Sequence, residues 1–215
     1  MSTTVADLLI HAEKTVFTDG VRPATVVIKD EKIVAVESFG TSVNADEELN
    51  VPRGQVLMPG LLDSHVHVNE PGRTQWEGYE SATRAALAGG ITTILDMPLN
   101  SDPPTVDVDN LDLKRTAATG KLSVDVGFWG GAVPGNKDDL AALWERGVFG
   151  FKCFTAHSGI DEYGCLPYRE IEEDLEEISR LGAVMIVHAE DPEILAGAPQ
   201  EFGPRYASYL ASRPP

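Results

Sequence analysis

Two histidines and an aspartate alternate along one short apolar stretch of the chain. Single residues separate Asp63, His65 and His67, and a loop rich in Gly and Pro follows them. Because side chains of a β-strand alternate between its two faces, these three residues share one face if the stretch is a strand. Two imidazoles on a rigid strand can hold a metal ion. Hydrogen-bonded core histidines are the alternative, but the Asp-x-His-x-His pattern at a strand end favours the metal site.

Three further residues that could carry chemistry end other apolar stretches. Lys152 lies in residues 150–154, which have the composition of a buried strand. A buried lysine is unfavourable unless it is paired or neutral. Lys152 is therefore predicted to pair with an interior carboxylate, to be chemically modified or to act as a Schiff-base nucleophile. His188 ends the stretch 184–188, and Asp96 ends another, where we predict a structural or supporting carboxylate.

The other histidines and the cysteines are assigned no chemistry. His11 is predicted to be structural or exposed, and His157 to be a solvated loop residue. Cys153 alternates with Lys152, so its thiol should face the surrounding helices as a small hydrophobe. Cys165 is the only other cysteine, and so few cysteines fit a reducing cytoplasm.

The charge and hydropathy of the chain narrow its partners. The chain has 17 Lys and Arg against 34 Asp and Glu, which gives a net charge of −17. Such acidity argues against nucleic acid or an anionic membrane surface as a partner. No apolar run reaches the roughly 18 residues of a membrane span, and no secretory signal is recognisable. We therefore expect a cytoplasmic protein.

The elements that must position these residues fall into two regions. Residues 1–55 read as a small β unit with four short strands and an acidic loop; the strands are predicted at 6–10, 14–17, 24–28 and 32–36, and the loop at 44–50. From residue 56, strands alternate with helices; the strands are predicted at about 56–68, 92–97, 123–129, 148–154 and 184–188, and the helices at 76–88, 108–119, 138–146, 168–181 and 203–212.

The alternation of strands and helices predicts a parallel sheet. A doubly wound sheet and a (β/α)8 barrel both fit this spacing. No Gly-x-Gly-x-x-Gly turn follows a strand, so a dinucleotide site is not supported. His65, His67, Lys152 and His188 all fall near carboxyl ends of strands, where active sites of such barrels gather.

The acidic run at residues 170–177 is interpreted as a helix surface. Ile171, Leu175 and Ile178 recur at helical spacing and should form the buried stripe. The carboxylates of the run are therefore predicted to be solvated rather than to bind a cation.

Several longer strings resemble those of a known enzyme family. The Asp-x-His-x-His pattern with a later strand-borne lysine and histidine is similar to that of the amidohydrolase superfamily, and within it to the cyclic amidohydrolases. These include dihydroorotases, hydantoinases (dihydropyrimidinases) and allantoinases. Residues 65–77, 97–105 and 150–154 are most similar to those of allantoinases.

The resemblance implies a fold and a domain organisation. The fold class is α/β, with an incomplete (β/α)8 TIM-like barrel of about strands 1–5 in residues 56–215. A small N-terminal β domain in residues 1–55 would be part of a composite sandwich.

The resemblance also implies a pair of divalent metal ions. His65 and His67 would hold the first ion and His188 the second, while Lys152, carboxylated by CO2, would bridge them as N6-carboxylysine. Zinc is the expected metal, with manganese, cobalt and iron as alternatives. A hydroxide bridging the ions would attack the cyclic amide.

The same resemblance indicates the substrate. Dihydroorotases usually carry an arginine where this chain has Asn69, and that arginine holds a substrate carboxylate. Allantoin has no carboxylate, so the neutral amide of Asn69 suits it, and Asn100 could also hydrogen-bond the substrate. We therefore predict the hydrolysis of (S)-allantoin to allantoate in purine catabolism, with dihydroorotase or hydantoinase as the alternative. A non-catalytic scaffold of the same fold is an alternative from another class.

The chain lacks two residues that the resemblance leads one to expect. A metal-binding histidine on strand 6 and a general acid/base aspartate after strand 8 have no counterparts, so no catalytic residue is assigned. We expect this sequence to be the N-terminal half of the enzyme, inactive alone, and tetrameric when full length. A fragment that does not fold stably is a further alternative.

Overall fold

The structure, a computed structural model, describes residues 6–199 and 203–213. Contacts divide the chain into two compact units, Met1–Gly60 and Leu61–Pro215. The predicted boundary between residues 55 and 56 stays a prediction, and both predicted domains include residues outside the described ranges. No helix in the described ranges is long and apolar enough to cross a membrane.

The first unit contains one four-stranded mixed sheet. Its strands are β1 (Ala6–Phe17), β2 (Gly20–Lys29), β3 (Lys32–Glu37) and β4 (Ala45–Asn50), in the order β3-β2-β1-β4. Strand β1 pairs antiparallel with β2 and parallel with β4. The strands predicted at 6–10 and 14–17 are one strand, with a register shift between Ala12 and Thr15. The predicted sandwich stays a prediction, because only this sheet is described.

The prediction of an acidic loop at residues 44–50 is wrong. Residues Ala45–Asn50 form β4, whose backbone pairs with β1 from Ala6 to His11. Most β4 side chains are exposed. Charged side chains on an edge strand stay in water while the backbone completes the ladder, so acidity did not exclude a strand here.

The second unit alternates strands and helices, as predicted. Its elements are β5 (Leu61–Val66), α1 (Tyr79–Ala88), β6 (Ile91–Asp96), α2 (Val108–Ala118), β7 (Asp125–Phe128), β8 (Gly130–Gly131), α3 (Lys137–Glu145), β9 (Phe151–Phe154), α4 (Tyr168–Leu181), β10 (Met185–His188), α5 (Pro192–Gly197) and α6 (Tyr206–Ala211). The five predicted strands and five predicted helices are present. The helix at 168–181 has the predicted bounds, two elements are shifted by one residue and the others are shorter, while β8 and α5 are additional.

Helix α1 begins three residues later than predicted because Gly78 is extended there. The backbone N–H of Tyr79 donates to the Glu70 carboxylate at 3.0 Å, which satisfies a group that the first helical turn leaves free. Glu70 is held in turn by Lys121. The start of the helix is therefore fixed by a distant carboxylate rather than by its own apolar pattern.

All strand pairs of the second unit are parallel. The two sheets have the orders β5-β6-β7 and β10-β9-β8. Only Trp129 separates β7 from β8, and its backbone N–H donates to Asp96 O at 2.9 Å. If β7 and β8 are counted as one nearly continuous segment, the parallel strands neighbour one another in chain order from β5 to β10. Among the described residues, β5 and β10 each have a strand neighbour on one side only.

The core of the second unit lies between the strands and the helices. Its largest cluster contains Val68, Tyr79, Ile94, Leu111, Leu140, Leu143, Phe151, Cys153 and Ile178 among others. The membership of Cys153 confirms that its side chain faces the helices. Together these side chains fix the strand ends that carry the candidate site.

The buried stripe of α4 differs from the prediction. Asp174 is 3% exposed, whereas Leu175 is 44% exposed. Ile171 and Ile178 contact the core as predicted. The prediction that the acidic run is solvated is therefore wrong for Asp174. Positions 171, 174 and 178 satisfy helical spacing as well as positions 171, 175 and 178 do, so the spacing alone did not distinguish them.

Candidate metal centre

His65 and His67 lie side by side at the carboxyl end of β5. Their ring centroids are 5.3 Å apart. His65 is exposed and His67 is half-buried. The carboxylate of Asp63 accepts a hydrogen bond from the His65 backbone N–H at 3.1 Å. The structure thus brings together the two imidazoles of the predicted motif, and Asp63 supports their backbone.

The ring of His67 is held in one tautomer by a backbone carbonyl. Its Nδ1 lies 3.0 Å from Leu99 O. Because a carbonyl oxygen only accepts, Nδ1 must carry the proton, and the neutral ring then has its lone pair on Nε2. Burial lowers the pKa of His67, which favours this neutral form. A histidine whose second nitrogen donates to a carbonyl is the usual arrangement of a metal ligand.

Lys152 lies in the middle of β9 and is buried. Its Nζ is 4.8 Å from the centroid of the Phe154 ring. Within the part of the chain that the structure describes, no carboxylate forms an ion pair with it. The alternative of an interior salt bridge is therefore not supported. Burial lowers the pKa of Lys152, so its amine is more readily neutral than that of an exposed lysine.

His188 is the last residue of β10 and packs on the same aromatic ring. Its ring stacks on Phe154 with centroids 5.0 Å apart. Its Nε2 lies 2.7 Å from the carboxylate of Glu190, which also pairs with Arg213 at 2.9 Å. The Phe154 ring thus has both Lys152 and His188 as neighbours, although the His188 Nε2 is directed at Glu190.

The strand register places both pairs at one edge of the parallel strands. Val66 is opposite Asp96, Asp96 is opposite Phe128, and Gly131 is opposite Lys152. No three His, Cys, Asp or Glu side chains of the described residues form a ready metal-binding group. Lys152 is not counted in such a group, because a protonated lysine amine does not bind a metal ion. It could become a ligand only after chemical modification.

Asn69 and Asn100 lie in the loops that follow β5 and β6. Asn69 is buried, and its Oδ1 has no hydrogen-bond partner in the described structure. The backbone carbonyl of Asn100 accepts from Arg73 at 2.9 Å, and Arg73 also pairs with Glu162. Arg73 therefore ties three loops together at this edge, which the sequence did not indicate.

The remaining ionisable residues have structural surroundings. His157 is exposed and lies 3.3 Å from Asp161, which confirms the prediction of a solvated loop histidine. His11 is buried, with Nδ1 2.8 Å from Thr25 Oγ1, in agreement with its structural interpretation. Asp96 is fully buried and pairs with Lys114 at 3.1 Å. Lys114 lies on the buried side of α2 with Leu111 and Ala118, and the sequence did not indicate its pairing with Asp96.

The donor set fits divalent metal ions. His67 presents an unprotonated nitrogen, His65 is adjacent to it, and the unpaired amine of Lys152 favours neutrality. Imidazole and oxygen ligands of this kind suit zinc and its neighbours in the first transition row. His65, His67, Lys152 and His188 are therefore candidate ligands, and their assignment to the ions stays a prediction.

A parallel α/β unit with ionisable side chains at the carboxyl ends of its strands defines a class of proteins that place their sites there. The chain belongs to the amidohydrolase family, whose model matches residues 56–209. This family generally uses divalent metal ions.

Individual proteins resemble the chain over almost its whole length. Allantoinase of Streptomyces avermitilis is 51% identical over 97% of this chain and 47% of its own length. The mitochondrial allantoinase of Aquarana catesbeiana is 42% identical, over 96% and 43%. L-hydantoinase (dihydropyrimidinase) from Arthrobacter aurescens has a similar structure, with a TM-score of 0.89, 31% identity, and coverage of 97% and 47%. The chain thus spans less than half the length of these proteins. Because one relative is named mitochondrial, the cytoplasmic location stays a prediction.

Proposed function

We propose that the chain is part of a metal-dependent cyclic amidohydrolase that opens the ring of allantoin to give allantoate. Two observations carry this proposal. His67 has its proton on Nδ1 and Nε2 free for a metal ion, and Lys152, near the end of another parallel strand, is buried without a carboxylate partner among the described residues. The choice of allantoin is supported by the allantoinases among its relatives, at 51% and 42% identity. Asn69 supports the same choice, because its neutral amide suits an uncharged ring.

Each residue has a distinct role in the proposed site. His65 and His67 would hold one ion and His188 the other. Lys152 would be a shared ligand after its neutral amine adds to CO2 and loses a proton to give a carbamate. Bound divalent ions supply an activated water and polarise a carbonyl oxygen. Asn69 has a free buried acceptor that can receive an N–H of the substrate ring. Asn100 would line the same loops.

The proposal also includes the complete fold, the metal, the oligomeric state and the activity of the chain alone. The second unit forms the first five strands of a (β/α)8 barrel, and the first unit forms part of a β-sandwich. Zinc is the expected metal, and the complete enzyme is a cytoplasmic tetramer. Without an aspartate to act as general acid/base, a contribution of about 10²–10⁴-fold is missing. The 215-residue chain alone is therefore expected to be nearly inactive.

Hydantoinase is the second candidate, because the L-hydantoinase of Arthrobacter aurescens shares the fold at a TM-score of 0.89. A substrate panel separates the two functions. The carboxyl-terminal half of the Streptomyces avermitilis allantoinase would be supplied in trans, and the hydrolysis of allantoin, hydantoin and dihydroorotate measured. We expect turnover of allantoin only. Turnover of hydantoin alone would contradict the proposed substrate.

The metal site can be tested on the chain itself. The chain would be purified with zinc and bicarbonate, and its metal content measured after dialysis. We expect bound zinc in the native chain, and loss of zinc and of a carbamate signal in carbon-13 NMR for Lys152→Met. His157→Asn is the matched control and should retain both. A native chain without bound metal would contradict the site, and rapid allantoin hydrolysis by the chain alone would contradict its expected inactivity.

A further inference from the structure

A buried ion pair lies directly behind His67. Asp96 and Lys114 are both completely buried, with Lys114 Nζ 3.1 Å from Asp96 Oδ2. The hydroxyl of Tyr79 donates to the same oxygen at 2.7 Å. The surroundings are apolar, since Val68, Tyr79, Ile94 and Leu111 belong to one core cluster. The proposed metal site does not use this pair as ligands.

The pair makes two further hydrogen bonds, one to each strand end beside the site. Asp96 Oδ1 accepts from the backbone N–H of Val68 at 2.8 Å. Lys114 Nζ donates to the carbonyl of Met97 at 2.6 Å. Val68 immediately follows His67. Met97 lies two residues before Leu99, whose carbonyl accepts the hydrogen bond from His67 Nδ1. The pair thus holds both the backbone that carries the ring and the backbone that carries its acceptor.

Stability alone does not explain such a pair. Removing two charges from water costs several kcal/mol per ion, and the replacement of a buried pair by apolar side chains is often neutral or stabilising. An apolar pair could fill the same space but could not bind the Val68 N–H or the Met97 carbonyl. A role that depends on those two hydrogen bonds explains the presence of charges.

We propose that Asp96 and Lys114 are positioning residues that fix the tautomer and orientation of His67. Their hydrogen bonds to Val68 and Met97 hold the segments that follow β5 and β6 at a constant separation. The Leu99 carbonyl then stays within hydrogen-bond distance of His67 Nδ1 and keeps the proton on that nitrogen. The consequence for metal binding rests on the proposed function. The effect on the tautomer does not.

The test compares two variants of the full 215-residue chain. Lys114→Met alone leaves the Asp96 charge unpaired and can prevent folding, so the main variant is the apolar double substitution Asp96→Leu with Lys114→Met, which removes both backbone links. Tyr79→Phe is the matched control, because it removes a hydrogen bond to the same carboxylate but leaves both backbone links. Nitrogen-15 NMR of labelled histidine reports the His67 tautomer, and titration with Co²⁺ reports metal affinity and the visible absorption of the bound ion.

The native chain and Tyr79→Phe should show a single His67 tautomer with the proton on Nδ1. The double variant should show exchange between tautomers and bind Co²⁺ about 10–100-fold more weakly, as when supporting partners of metal ligands are lost. An unchanged tautomer in the folded double variant would overturn the proposal. So would an equal effect of Tyr79→Phe, because the pair would then act only through general stability. If the native chain binds no Co²⁺, the proposed function fails, while the tautomer comparison still decides the positioning role.

Discussion

Asp174 is a carboxylate buried on α4 without a full set of hydrogen-bond partners. It is 3% exposed, and its Oδ2 has no partner among the described residues. Burial raises the pKa of Asp174 to about 6, although the nearby Lys137 acts in the opposite direction. The folded state therefore binds a proton more tightly at this position than the unfolded state does, and the charged form is disfavoured by folding.

We expect Asp174→Asn to stabilise the chain at neutral and higher pH. Between about pH 4 and 6 the folded state binds more protons at Asp174, so stability falls as the pH rises through that range. A neutral amide avoids this loss. After allowance for solvent screening, the gain at pH 8 should be about 1 kcal/mol, or about 2–4 °C in Tm.

Thermal unfolding of both proteins from pH 8 down to pH 5 measures this effect. The gain should shrink as the pH falls. The exposed Glu172 provides the control, and Glu172→Gln should leave Tm unchanged throughout. A gain that is independent of pH would show that the charge of Asp174 is not its cause.

For individual residues, the sequence predicted the position of the two histidines of the Asp-x-His-x-His pattern but not the residues that support the surrounding backbone. The two-residue spacing of His65 and His67 is enough to place both on one side of a strand end. Lys114 and Arg73 act through partners 18 and 89 residues away, respectively, so no local pattern identifies them (114 − 96 and 162 − 73). Asp174 was misplaced because the helical period allowed two stripes.

The start of β9 depends on a glycine. Gly150 precedes β9 with φ +151°, and a Cβ there would lie 2.6 Å from Val184 O and 2.6 Å from the ring of Trp129. The backbone of Gly150 thus runs against β10 and against the residue that joins β7 to β8. This close approach places Lys152 two residues further along.

We expect Gly150→Ala to be far more destabilising than Gly182→Ala. Gly182 ends α4 with φ +70°, and a Cβ added there would have nothing within 4 Å. Its substitution should cost about 1 kcal/mol from backbone strain alone. Gly150→Ala causes the same backbone strain and also a steric clash with the Val184 carbonyl and the Trp129 ring. It should lower the free energy of unfolding by about 3 kcal/mol or more.

Urea denaturation of both variants measures the difference. Gly182→Ala is the matched control, because it has the same chemical change at a positive φ without the close contacts. Equal losses for the two variants would mean that the contacts around Gly150 relax at no cost.

At the scale of elements, periodicity and glycine positions predicted the type of almost every strand and helix in the second unit. The bounds were less accurate where a distant group decides them, as for α1, which begins where Glu70 accepts from Tyr79. Strand β4 was missed because its side chains are mostly exposed and its strand character comes from pairing with β1. Tertiary pairing of this kind has no signature in local composition.

For the whole chain, the parallel sheet could be predicted from the sequence pattern alone, whereas the substrate is inferred from similar proteins. The alternating strands and helices predicted a parallel sheet, and all the strand pairs of the second unit are parallel. The choice of substrate comes from relatives, since no distance in the structure distinguishes allantoin from hydantoin. Spacing alone also left the barrel and the doubly wound sheet open, because both repeat the same unit.

Among the described residues, β5 and β10 are paired on one side only, and this has a consequence for the behaviour of the chain in concentrated solution. Neither strand contains Lys, Arg or Pro, and Leu61, Leu62 and Val187 are exposed on them. Free backbone donors and acceptors flanked by exposed aliphatic side chains are templates for pairing with another molecule. We expect light scattering to rise with protein concentration and to fall when a charge is introduced by Leu62→Lys, while Leu113→Lys on the exposed surface of α2 leaves it unchanged. Colloidal stability, rather than the folding of each molecule, would then limit how this chain can be handled.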